Sequence, residues 1–290
     1  MAITDIPVRR PAVDFSTAEF EKWTVEDDPI FSHLLNALSA AFPNGEDFFV
    51  QSVRNYRHRL DADPELKGRV KGFIGQEAMH GREHRAINDR FAAMGYPTAA
   101  QDAALARASA RLQRLPKALQ LATTAASEHF TAVIALPVLT DDRTREILFS
   151  HPDIETLIAW HAMEELEHKD VAFDVFEEVN GNYVVRIAGL GCAAVFFGVP
   201  IVAGLAKALV DDRRHIGRRQ LRRHRRNYVR QRMLRLRTLV DIAEYFRPGF
   251  HPNDIETEAV VVEWRERLAD SMTTPGSRRS AEGIPVSLPT

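Results

Sequence analysis

Apolar residues recur at helical spacing along most of this chain, which reads as all-α. The first thirty residues are the exception, because Pro7, Pro11 and Pro29 interrupt any helix there and leave an irregular arm over 1–30. The pattern then predicts a short helix over 30–41, stopped before Pro43, and another from Asn44 to about Leu60. On the latter, Glu46 shares a stripe with Phe49, Val50 and Val53, so it points inward as either a ligand or a costly buried charge. The next helix is well bounded, with Asp63 as N-cap, Pro64 at its first position, and Gly95 then Pro97 beyond its end. Phe73, Glu77, His80 and His84 line one face of it. Gly68, Gly72, Gly75 and Gly81 inside it each cost up to about 1 kcal/mol against Ala, which close approach of another helix would explain. A connecting helix over 98–115 precedes one opened by Pro116 that reaches about Leu136. Around Glu128 its inward residues are small (Thr124, Ala125, Thr131, Ala132, Ala135), leaving room for a substrate or allowing tight packing. Ser150-x-x-Asp153, with Pro152 in the first turn, reads as the capping box of a helix running to about Val179.

The chemistry concentrates on that last helix, in the stretch from Trp160 to His168. At about 100° per residue, His161, Glu165 and His168 fall within roughly 60° of one another. Glu164 lies off that stripe and Glu167 nearly opposite Glu165, so both read as supporting or solvated groups. A Glu followed three residues later by His offers a carboxylate and an imidazole to one metal, and dimetal bundles of the ferritin-like kind use two such motifs plus a lone Glu from each of two other helices. Glu77 and His80 form the second motif, and Glu46 and Glu128 stand where the lone carboxylates belong. The expected ligands are therefore Glu46, Glu77, His80, Glu128, Glu165 and His168, with His161 as an added nitrogen donor. His84 reads as a packed or supporting histidine rather than a further ligand, and His129 is off the stripe of Glu128. Mixed carboxylate and imidazole donors without thiolates point to two Fe, with Mn as the other candidate.

Composition changes the picture only at the C-terminal side. The chain is 45% hydrophobic and 27% charged with a net charge of −2, ordinary for a soluble protein. That balance hides twelve Arg and no acidic residue within 213–237. Just before them, residues 187–206 carry no charge and are long enough to span a bilayer, with Gly198 and Pro200 in the middle. A basic run beside an apolar one suits an anionic cytoplasmic leaflet. The positive-inside rule would put the metal bundle on the far side of a single span, and Met1 to Glu21 lacks a signal peptide's apolar core. A re-entrant hairpin around Gly198–Pro200, or an in-plane helix, keeps both ends cytoplasmic; a buried helix or a homodimer face is the other reading. No interleaved aromatics or known motif favour nucleic acid. Cys192 stands alone, so no internal disulfide forms. The organisation expected is an arm over 1–30, a dimetal bundle over 31–182, apolar, Arg-rich and final helices over 183–270, and a disordered tail over 271–290.

Asp28-Pro29, Phe42-Pro43-Asn44-Gly45-Glu46, Glu77-Ala78-Met79-His80, Glu164-Glu165-x-Glu167-His168-Lys169 and Arg247-Pro248-Gly249-Phe250-His251-Pro252 together resemble the bacterial family of predicted metal-dependent hydrolases. Its members are ferritin-like, which implies the same bundle here. The ligand set is also similar to that of the diiron p-aminobenzoate N-oxygenase, which adds one His to six usual ligands, as His161 would. The leading expectation is a diiron oxygenase or oxidase acting on an apolar, lipid-like substrate. It would take electrons from a separate reductase, since no flavin or iron–sulfur motif is visible. The second is a hydrolase using a dimetal-activated water, and the third a non-enzymatic iron protein.

Overall fold

The structure is a computed structural model that describes residues 3–16, 19–149 and 151–273. Among the described residues it is all-α apart from one short strand pair. The arm carries β1 (Arg10–Pro11) and leads to α1 (Pro29–Arg54), which Asp28 caps by accepting from the Ile30 and Phe31 N–H groups. There follow α2 (Pro64–Ala93), α3 (Thr98–Leu112), α4 (Lys117–Thr140), α5 (Asp142–Leu148), α6 (Pro152–His168) and α7 (Val171–Val179). The C-terminal part holds α8 (Tyr183–Ala193), α9 (Val199–Asp212), α10 (Arg218–Arg230), α11 (Leu236–Ala243), α12 (Glu258–Leu268) and β2 (Met272–Thr273). α1 packs along α2, α4 packs on α6 and α7, and α8 and α9 lie against α4 and α1.

Several boundaries differ from the sequence expectation, each for a local reason. α1 runs unbroken through Pro43, where two helices were expected. A proline inside a helix leaves the carbonyl four residues earlier without its donor. Here that carbonyl, Ser39, accepts instead from Asn88 Nδ2 at 3.0 Å. The helix expected to reach Val179 breaks between α6 and α7 at Lys169 and Asp170. Asp170 pairs with Arg69 and accepts from Asn253 Nδ2 at 2.6 Å, while Lys169 donates to the Pro252 and Ile255 carbonyls. Ser150 lies outside the described residues; the first turn of α6 is capped by His151 Nδ1, which accepts from the Asp153 N–H at 3.2 Å. The expected tail starts later than 271, because β2 pairs antiparallel with β1, Arg10 opposite Thr273; residues 274–290 lie outside the described residues.

The apolar stretch forms no hairpin. α8 and α9 join through a π-helical turn over Ala194–Gly198 into one run from Tyr183 to Asp212. The wider turn lies just before Pro200, whose ring would crowd the Phe196 carbonyl in a regular helix. Gly189 lets α8 close on α4, since a Cβ there would come within 2.5 Å of the Ala122 backbone. This, with Ala122, Ala125 and Ala126 fully buried, decides the small residues of α4 in favour of tight packing along that half.

Gly72 and Gly75 of α2 admit the N-terminal arm, whereas Gly81 faces another helix, since a Cβ there would lie 3.2 Å from Glu46 Oε2 and 3.8 Å from the Pro43 Cα of α1. A Cβ on Gly72 would sit 2.3 Å from the Ile6 carbonyl oxygen, and one on Gly75 2.2 Å from a Val8 methyl. Gly72→Ala is expected to destabilise the protein by about 1–3 kcal/mol, because backbone must move. Gly68→Ala, with nothing within 4 Å, should be neutral or stabilising by up to about 1 kcal/mol. Urea denaturation of both variants checks this, and equal effects would contradict it.

Two apolar clusters hold the body together. One gathers Trp160, Met163 and Leu166 of α6 with Phe91, Ile147 and Trp264. The other gathers Phe48, Phe73, Leu121, Phe173 and Tyr245. Between them runs a polar layer: His80 packs edge-on against Trp160, and His168 edge-on against Phe73.

Candidate metal centre

Each of the four bundle helices supplies that layer. α1 contributes Glu46, α2 Glu77 and His80, α4 Glu128, and α6 His161, Glu165 and His168. The spacings i, i+3, i+4 and i+7 put each helix's share on one face, and none of the seven is more than 5% exposed. Donor atoms of Glu77, His80, Glu165 and His168 lie within 4.8 Å of one another, as do those of Glu46, His80 and His161. Glu165 joins the two groups, its Oε1 2.8 Å from His161 Nε2 and 3.8 Å from His80 Nδ1. Glu77 Oε1 is 3.3 Å from His168 Nε2. Glu128 stands at the edge, with Oε2 2.9 Å from His168 Nδ1.

A metal-free cluster of this kind is unfavourable. Both oxygens of Glu46 and of Glu77, with Glu128 Oε1, Glu165 Oε2, His80 Nδ1 and His168 Nε2, are buried without a hydrogen-bond partner. Each such atom costs about 1–3 kcal/mol if left unsatisfied. Burial, and then repulsion from neighbouring carboxylates, holds Glu46, Glu77 and Glu128 well above the usual carboxylate range. Burial, and then the other imidazoles, holds His80 well below the usual histidine range. For Glu165 burial acts upward, but the contact with His161 outweighs it and the net shift is downward. Four carboxylates around neutral imidazoles balance the charge of two divalent ions. The donor set therefore fits a metal pair of the oxygen- and nitrogen-loving kind.

The surrounding contacts orient the donors. Glu164 Oε2 accepts from His80 Nε2–H at 3.0 Å, which turns the Nδ1 lone pair into the cluster. Burial and the charge of Glu167 push Glu164 up to about 8, with Arg9 opposing. Arg9 donates to Glu164 at 3.0 Å and, through both terminal nitrogens, to Glu167 at 2.9 Å. Glu167 also accepts from Gln76 Nε2 at 2.7 Å and from Arg265 at 2.5 Å. On the other side, Ser39 Oγ–H donates to Asn88 Oδ1 at 2.7 Å, so its oxygen accepts from His84 Nδ1–H at 2.9 Å. The low pKa of His84, set by burial and then by His161, keeps that ring neutral. His84 Nε2 then accepts from His161 Nδ1–H at 2.6 Å. Without metal, His161 Nε2 meets Glu165 Oε1 in a 2.8 Å hydrogen bond, the contact that lowers Glu165; with a cation between them the same nitrogen would present its lone pair.

Ser39→Ala is expected to weaken metal affinity by about 10–100-fold without removing a ligand. A competition titration against a chromogenic chelator measures it, and unchanged affinity would rule the relay out.

His84 thus supports His161, in line with its position one turn past His80. His129 is not part of the cluster, its Nε2–H donating to the Asp241 carbonyl at 3.1 Å. Arg9, Gln76, Arg265, Ser39 and Asn88 escaped the sequence reading. The one signal for the arginines was the need of two acids beside the motif, Glu164 and Glu167, for counter-charges once buried.

The family model of predicted metal-dependent hydrolases matches residues 7–256, and the chain belongs to that family. Comparison with curated proteins and with solved structures gave no match.

Proposed function

We propose that this member of the family is a dimetal hydrolase that cleaves an ester or amide. The observation that carries the reading is the enclosed set of four carboxylates and three imidazoles with eight buried donor atoms aimed at one another. Two divalent ions bound there would polarise a substrate oxygen and lower the pKa of a water. The residues of the chain hold and orient. Glu46, Glu77, Glu128 and Glu165 neutralise the ions, Glu164 and the Ser39–His84 relay fix the imidazole tautomers, and the two apolar clusters exclude bulk water. Fe and Mn remain the metals the donor set favours.

A second reading, activation of O2 by an iron pair with electrons from a separate reductase, draws support from two features. His161 adds a neutral nitrogen donor that tunes iron without adding charge, and the burial of every donor suits a small gaseous reactant. The separating experiment reconstitutes the protein with Mn(II), Zn(II) or Fe(II) under anaerobic conditions and offers a panel of nitrophenyl esters and anilides. Metal-dependent cleavage without oxygen, lost in Glu165→Gln, is the expected result. Rapid O2 consumption by the Fe(II) protein with no cleavage under any metal would replace the first reading with the second.

A further inference from the structure

The run α8–α9 is long and apolar enough to cross a membrane, yet almost none of its most apolar stretch is buried. One flank is committed to the bundle, through Gly189 on Ala122 and Gly204 on Gln101. The outward side carries an apolar stripe of Val184, Ala188, Val195, Val199, Val202 and Val210, all exposed, Val199 by 60% and Val202 by 64%, bordered near its end by the exposed Lys207–Asp211 ion pair. At 1.5 Å per residue this stripe is about 40 Å long. Exposed apolar surface of that extent is a binding surface in soluble proteins.

What it binds is indicated by the charge that follows. Part of the arginine run is neutralised within the chain, since Arg219 meets Asp27, Arg226 meets Glu26, Arg230 meets Glu146 and Arg232 meets Asp141. Arg213 and Arg214 at the end of α9, and Arg218, Arg222 and Arg225 on α10, are exposed and meet no carboxylate among the described residues. On α10 these last three share the outer face with Leu221 and Val229, which are 51% and 60% exposed. Arginines that share a helix face with exposed apolar side chains, five residues of chain after an exposed apolar helix, are the make-up of an interfacial element.

We infer that the outer face of α8–α9, with the arginines of α9 and α10, seats the protein in the plane of an anionic lipid surface. A second copy of the chain could cover the apolar stripe, but it brings the same arginines and leaves them uncompensated. An anionic surface satisfies both features at once. The helix does not span, because its other flank holds α4 and α3. This inference stands apart from the chemistry of the metal centre.

Flotation of the full chain with vesicles tests it, using phosphatidylcholine alone and phosphatidylcholine with about a third phosphatidylglycerol. Binding is expected only to the anionic vesicles, and to weaken as salt is raised. The triple variant Arg218→Gln, Arg222→Gln, Arg225→Gln should bind about a hundredfold more weakly, at about fivefold per arginine. Val199→Asp with Val202→Asp should abolish flotation while circular dichroism and the melting temperature stay unchanged, since both side chains are exposed. Failure of the folded wild type to float on anionic vesicles at low salt overturns the inference. So does a concentration-dependent dimer that the valine pair dissolves and that does not float.

Discussion

Glu77→Gln and Glu165→Gln are each expected to reduce the metal content of the purified protein from an expected two ions per chain to one or none. Glutamine keeps the volume and the packing, so the loss isolates the charge and the second oxygen acceptor. Glu165 faces His161 at 2.8 Å and His80 at 3.8 Å, so it belongs to both halves of the cluster. Glu77 has both oxygens unpartnered and sits 3.3 Å from His168 and 4.0 Å from His80. Removing either acid leaves one negative charge too few to balance two divalent ions among donors that are all buried. Elemental analysis of desalted protein measures the stoichiometry directly. Two tightly held ions in either variant would sink the ligand assignment. Retention of the helical circular dichroism spectrum distinguishes loss of metal from loss of fold.

Exhaustive removal of the metals is expected to lower the melting temperature by roughly 15 °C or more, with a gap that widens as pH rises above about 6.5. Two sites held at a thousandfold over their dissociation constants each contribute about 4 kcal/mol, and 1 kcal/mol moves a chain of this size by about 2–4 °C. The pH dependence follows from the direction of the shifts. Glu46, Glu77 and Glu128 titrate well above their unfolded values once buried. Their contribution to the metal-free fold is complete below the unfolded carboxylate pKa, and it is lost as pH rises toward the folded values. Glu164, pushed up to about 8, acts in the same sense. His80 and His84 are shifted down, so theirs is present above about 6.5 and lost as pH falls. Above about 6.5 the contribution of His80 and His84 is complete while Glu164, pushed up to about 8, still loses its own, so the metal-free form weakens. Metal binding, which needs the carboxylates ionised, releases fewer protons there and strengthens. Melting curves of metal-bound and stripped protein between pH 6.5 and 8.5 check this, and a gap that narrows over that range would contradict it.

The ligand set was readable from the sequence because helical periodicity is a local property. His161, Glu165 and His168 share a face whatever packs against it, and Glu77 with His80 repeats the arrangement. Their match to Glu46 and Glu128 needed only four helices and one interior; the structure groups Glu46, Glu77, His80, His161, Glu165 and His168 as candidate donors and places Glu128 beside them, on His168 Nδ1. Asp63 and Pro64 at the start of α2 were legible for the same reason, since a cap acts within one turn. What remained hidden depends on groups far apart in the chain. Pro43 stays helical because Asn88 takes the carbonyl it frees. Gly72 and Gly75 admit the arm through Ile6 and Val8, and the buried Glu164 and Glu167 are held by Arg9 and Arg265 from opposite ends. The tautomer of His161 depends on Ser39 through His84. An uncharged stretch of twenty residues reads alike as a span, a core helix or a surface helix. Only the contacts of Gly189 and Gly204 on one flank, and the bare valines on the other, set aside the core helix, because burial is a property of what surrounds a helix and not of the helix itself.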